Sequence, residues 1–126
     1  MTDDLRAFTR VATALDTEII AAGGRSDGLT RDVSLSGIFV TTAALLPAGS
    51  TVTVTVFLDG RQDGALMIRA HGSIAQVRPG GVAVAFREFA DPDSYGHLRR
   101  IIELNSRDQD KVRAEFDRHI GLKPTV

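Results

Sequence analysis

The stretch Thr51-Val52-Thr53-Val54-Thr55-Val56-Phe57-Leu58 alternates with a period of two, and this constrains the fold more than any other feature of the chain. Successive side chains of a β-strand point to opposite faces. Val52, Val54, Val56 and Leu58 therefore share one face, and the threonines and Phe57 share the other. Other runs read the same way. Val11, Leu15 and Ile19 fall on one face of the first; Leu66, Ile68, Ala70 and Ile74 oppose Arg69, His71 and Ser73 in a later one. Val82, Val84 and Phe86 form the inward face of the last. Between the runs stand Gly23-Gly24, Pro47-Ala48-Gly49, Asp59-Gly60 and Pro79-Gly80-Gly81. Glycine supplies positive φ in such turns and proline pre-sets φ. Short connections favour antiparallel pairing. Five or six such strands predict a small barrel or sandwich, and closure into a barrel removes exposed sheet edges.

At Asp91 the period changes. Asp91-Pro92 reads as an N-cap followed by proline in the first helical position. Tyr95, Leu98, Ile101 and Ile102 then recur at helical spacing. Ser106 and Gln109 fit a capping box that would start a second helical segment, with Val112 and Phe116 on one face and Gly121 at its end. There is no internal repeat or linker. The 126 residues form one domain, long enough to bury a single core.

Composition removes several classes of function. The chain contains no cysteine, which excludes disulfides, zinc-thiolate sites and cysteine nucleophiles. A net charge of −1 argues against general binding of DNA or RNA. The six Phe, one Tyr and absence of Trp also give little material for an oligonucleotide-binding face. No run reaches the roughly 18 apolar residues of a membrane span, and the acidic start Met1-Thr2-Asp3-Asp4 is no signal peptide. A soluble, cytoplasmic protein is expected. His71, His97 and His119 lack metal-ligand spacing, and Asp91 and Asp93 are better explained by helix capping than as paired carboxylates. No catalytic constellation can be assembled, so no enzyme activity is expected.

Two signatures remain. Arg6-Ala7-Phe8-Thr9-Arg10 sets two guanidinium groups four residues apart, and Asp32-Val33-Ser34-Leu35-Ser36-Gly37 sets carboxylate, hydroxyl and glycine in fixed register. An R-x-x-x-R arises by chance about once in such a chain, but D-x-S-x-x-G only about 0.06 times. Arginine forks suit phosphates and the N7/O6 edge of guanine, and they stack on purine faces. A carboxylate is acceptor-only, so it suits the guanine edge bearing N1–H and the N2 amine, and it rejects adenine. The pair of signatures therefore suits a guanine nucleotide that carries phosphates.

In this order, the two motifs resemble the PilZ domain, a bacterial receptor module for cyclic di-GMP. Gly81-Val82-Ala83-Val84-Ala85-Phe86 resembles its closing strand, and His97 to Asn105 its terminal helix. The resemblance implies a mainly β fold with C-terminal α: a six-stranded antiparallel barrel capped by one helix or two helical segments. It divides the single domain, 1–126, into a flexible arm (1–10), a barrel (11–90) and a helical region (91–121). It implies that Arg6, Arg10, Asp32, Ser34 and Gly37 bind cyclic di-GMP, with no metal and no other cofactor. Arg78 falls near the expected pocket but equally suits an exposed turn. Many members carry a further arginine just before the pair, associated with two intercalated ligands; Leu5 stands there, and Ala7 adds no charge, so one ligand per chain is expected. Ligand binding would order the arm and signal through a protein partner, in motility, chemotaxis or biofilm control. The rival reading is an adaptor of the same fold that binds protein but no nucleotide.

Overall fold

Among the described residues the chain forms seven strands and one helix: β1 (Val11–Ala12), β2 (Asp16–Ala21), β3 (Gly24–Val33), β4 (Gly37–Thr41), β5 (Thr51–Phe57), β6 (Met67–Arg78), β7 (Gly81–Phe89) and α1 (Pro92–Asn105). This is a computed structural model, and it describes residues 10–44, 46–58 and 66–106. All pairings are antiparallel. Six strands close a barrel in the order β3-β2-β5-β6-β7-β4, with β4 returning to β3. The short β1 is an additional strand, paired with the end of β3 that β2 has left.

The alternation expected in the first run is present, but the run is two strands rather than one. Between them Leu15 N–H donates to the Thr30 hydroxyl (2.8 Å), and Thr13 Oγ1 donates to the same oxygen (2.6 Å). A side-chain oxygen thus stands in for a ladder carbonyl and interrupts regular pairing. Leu66 also departs from expectation: it lies just before β6 and is 47% exposed. The inward series of β6 starts at Ile68 and runs through Ala70 and Ile74.

The core is the barrel interior. Ile19, Val40, Val52, Val54, Ile74, Val82 and Val84 fill it, and Leu35 reaches it from the turn between β3 and β4. Each such side chain contributes about 1.5–3 kcal/mol by leaving water. The helix adds Leu98 and Ile102 to the same cluster. As its sequence predicts, α1 starts at Asp91, whose carboxylate accepts from Ser94 N–H at 2.7 Å. The Ser94 hydroxyl in turn accepts from Arg69 N–H at 2.9 Å, which clips the helix start to β6. The second segment drawn from Ser106, Gln109, Val112, Phe116 and Gly121 falls almost wholly outside the described residues.

Proline and glycine act where the turns need them. Pro79-Gly80 joins β6 to β7 with Gly80 at φ 84°, the positive value a type II turn requires after proline. Gly72 has a different constraint, because a Cβ there would collide with the Ala85 carbonyl oxygen of β7. Gly72→Ala is expected to lower unfolding free energy by about 1–3 kcal/mol. Gly96→Ala, on the helix with nothing within 4 Å of the added carbon, is expected to raise it by about 0.5–1 kcal/mol. Urea unfolding of both variants tests the opposite signs.

Candidate functional site

A β-bulge sets the geometry of the site. β3 and β4 pair at Thr30↔Val40 and again at Asp32↔Phe39, so Arg31 is an extra residue with no partner across the ladder. Inward and outward positions alternate along a regular strand. Here the extra residue resets that alternation: Thr30 and Val33 are buried, whereas Arg31 is exposed and Asp32 partly so. Two consecutive polar residues are thus available on the outside of the barrel, as bulges permit. A second shift on β6, between Ile74 and Gln76, brings Gln76 opposite Ala83. The registers Asp32↔Phe39, Phe39↔Ala83 and Ala83↔Gln76 then form one row across four strands.

Above this row lies a shallow open cleft, lined by Arg10, Arg31, Asp32, Ser34, Gly37, Ile38, Phe39, Gln76, Arg78 and Ala83. Four of the five residues singled out in the sequence, Arg10, Asp32, Ser34 and Gly37, therefore line the same cleft. Arg6 lies outside the described residues. The additional strand explains the position of Arg10. Val11↔Val33 and Ala12↔Asp32 pair β1 with β3, and the same register continued by one residue sets Arg10 beside Ser34.

Asp32, Ser34 and Gly37 build the hairpin between β3 and β4. Ser34 N–H donates to the Gly37 carbonyl at 2.9 Å, and Phe86 N–H donates to the Ser36 carbonyl at 2.9 Å. The Ser34 hydroxyl accepts from Ser36 N–H at 3.3 Å and lies 3.4 Å from the Ser36 hydroxyl. Ser34 is 2% exposed, so its hydroxyl mainly fixes the turn. With Leu35 anchored in the core, the backbone around the cleft is held from both sides.

The lining carries three guanidinium groups and one carboxylate, so the cleft is locally cationic on a chain whose net charge is −1. Arg31 Nε donates to Asp32 Oδ2 at 3.2 Å, and its Cζ sits 3.8 Å from the centroid of the Phe39 ring. Arg78 Nε and Nη2 both donate to Gln76 Oε1, at 3.1 and 2.6 Å. Two of the cations are thus oriented by neighbours. Arg31, Phe39 and Gln76 were not identified from the sequence. The signals were weak: an arginine beside the box aspartate, and an aromatic alternating against inward Ile38 and Val40. Arg78, which its sequence context fits equally to an exposed turn, lines the cleft. His71 is engaged with Thr53 at 2.9 Å on another part of the sheet. Among the described residues no group of three or more His, Cys, Asp or Glu could hold a metal ion.

Among the described residues a six-stranded closed barrel, a supplementary first strand and the helix α1 define the class, and the family model for the PilZ domain matches residues 4–104. The chain belongs to the PilZ domain family. Solved structures share the fold. The PilZ domain of CeSA from a cellulose-synthesizing bacterium is 20% identical, with a TM-score of 0.54 over 75% of this chain and 94% of that one. The PilZ domain of YcgR from Escherichia coli, solved with c-di-GMP, is 16% identical, with a TM-score of 0.57 over 88% and 96%. The Bacillus subtilis inhibitor of motility, MotI/DgrA, is 17% identical with a TM-score of 0.62; the match covers 86% of this chain and 54% of that protein.

Because Ser34 satisfies the turn rather than the solvent, Ser34→Ala is expected to cost about 1–2 kcal/mol of stability. Chemical unfolding of the variant without ligand measures it.

Proposed function

We propose that the protein is a receptor for cyclic di-GMP that signals through a protein partner. The observation that carries this reading is the convergence of Arg10 with Asp32, Ser34 and Gly37, which lie far from it along the chain, on one cationic cleft. Membership of the PilZ family supports it, as does the presence of c-di-GMP in the YcgR domain of the same fold. In this reading Asp32 accepts from N1–H and the N2 amine of a guanine, an edge that adenine does not offer. Arg10, with Arg6 four residues earlier, pairs with phosphate or with guanine N7/O6 through charge-assisted bonds. Ser34 acts through the turn it fixes, and its hydroxyl can also donate to the ligand. Gly37 lets ligand and backbone approach closely. Leu5 in place of a further cation favours one ligand per chain.

The protein is proposed to work without a cofactor and without catalysis, its output being altered contact with a partner in motility, chemotaxis or biofilm control. Among the described residues no helix is long and apolar enough to cross a membrane. Bridging barrel and ligand through Arg6 and Arg10 clamps the segment 1–10 against the cleft. Amide exchange in those residues is therefore expected to slow at saturating ligand.

Calorimetry gives the direct test. Wild-type protein is expected to bind one cyclic di-GMP per chain, with GMP and cyclic di-AMP weaker by at least about tenfold. Arg10→Ala removes a charged hydrogen-bond donor, a loss of roughly 1.5–3 kcal/mol or about 10- to 150-fold in affinity. Raising salt from about 0.05 to about 0.5 M should weaken wild type more than Arg10→Ala, because one screened ion pair is already gone from the variant. Equal affinity for all three nucleotides, or none for any, refutes the assignment.

A further inference from the structure

Arg31 belongs to neither of the two sequence signatures, yet it is an exposed cation of the cleft held by two neighbours. Its guanidinium lies 3.8 Å over the Phe39 ring and is held at its edge by Asp32 Oδ2 at 3.2 Å. The ring beneath is itself fixed. It lies over Gly81, where an added Cβ would come within 2.6 and 2.9 Å of two ring carbons, and Phe39 is only 7% exposed. The Arg31 side chain nevertheless retains 53% of its exposure. One face of a flat cation is therefore covered by an aromatic ring, and the remainder is open to the cleft.

We propose that Arg31, laid on Phe39, is the platform on which a guanine of the bound nucleotide stacks, a role that rests on the cyclic di-GMP reading above. A guanidinium plane accepts a π-system on each face, so Phe39 and a purine sandwich it. The bulge makes this compatible with base recognition by Asp32. Arg31 and Asp32 are neighbours facing the same way, so one base is met on its face by the first and on its edge by the second. Their ion pair does not block that edge, since each carboxylate oxygen has two lone pairs and Arg31 Nε uses one of them. The ring and the carboxylate hold the guanidinium in place before ligand arrives, so little side-chain freedom is lost on binding.

Arg31→Lys separates plane from charge. An ammonium can still pair with Asp32, but it offers no surface for stacking. The variant is expected to bind cyclic di-GMP about tenfold more weakly by calorimetry, in line with the loss of one base stack. It should keep the wild-type preference over cyclic di-AMP, because the edge contact by Asp32 survives. Phe39→Leu should weaken binding in the same direction, and the double variant should lose less than the product of the two single losses. Thermal unfolding checks that Phe39→Leu folds; Arg31→Lys alters an exposed side chain and decides the matter alone if it does not. Unchanged affinity in Arg31→Lys overturns the platform while leaving the receptor reading intact. Tighter binding by Arg31→Ala also overturns it, since Arg31 would then merely obstruct the cleft. Wild-type protein that binds no cyclic di-GMP overturns both.

Discussion

The bulge at Arg31 in β3 is the constraint on which the rest of the site depends. Without it, Asp32 would point into the barrel alongside Thr30, and a carboxylate among Val40, Val54 and Val84 would be expelled or left protonated. With it, the core keeps Thr30 and Val33, and the outer surface gains two adjacent charges. The interior hydroxyl of Thr30 is satisfied by Thr13 and Leu15, which also ends β1 and lets β2 begin. One local irregularity thus seats the aspartate, aims Arg31 and leaves room for Arg10 beside the hairpin.

The same economy applies to the turn between β3 and β4. Leu35 and the backbone bond from Phe86 N–H to Ser36 tie it to the core, while the Ser34 hydroxyl closes it locally. A cleft walled by such a turn needs little reorganisation to accept a ligand, and preorganisation of this kind lowers the entropic cost of binding. The cations are treated likewise: Gln76 holds Arg78, and Asp32 with Phe39 holds Arg31. A locally cationic surface is therefore built into a protein with almost no net charge.

Much of the fold was legible in the chain because burial in a barrel imposes a period of two. β5 and β7 follow their valines as expected, and the helix begins at the cap that Asp91-Pro92 announces. Prediction failed where a side chain replaced a backbone partner, as at Thr30, or where an apolar residue stood past the end of its strand, as Leu66 does. Neither event leaves a trace in hydrophobic periodicity. The candidate site was half legible. Its two signatures were evident as residue types at fixed spacing, but Arg31, Phe39 and Gln76 were not, since nothing in their spacing brings them together.

Sequence alone determined the inward alternation of β5 and β7, where the helix starts and which polar groups are chemically suited to a phosphorylated guanine. Those properties follow from local stereochemistry and from the cost of burying charge, and both act residue by residue. Only the tertiary structure decided that Arg10 meets Ser34, that Asp32 faces out and that Gln76 and Arg78 close the opposite wall of the cleft. Those outcomes depend on strand register and on two one-residue slips in it. Register is fixed by the closure of the whole barrel rather than by any segment within it.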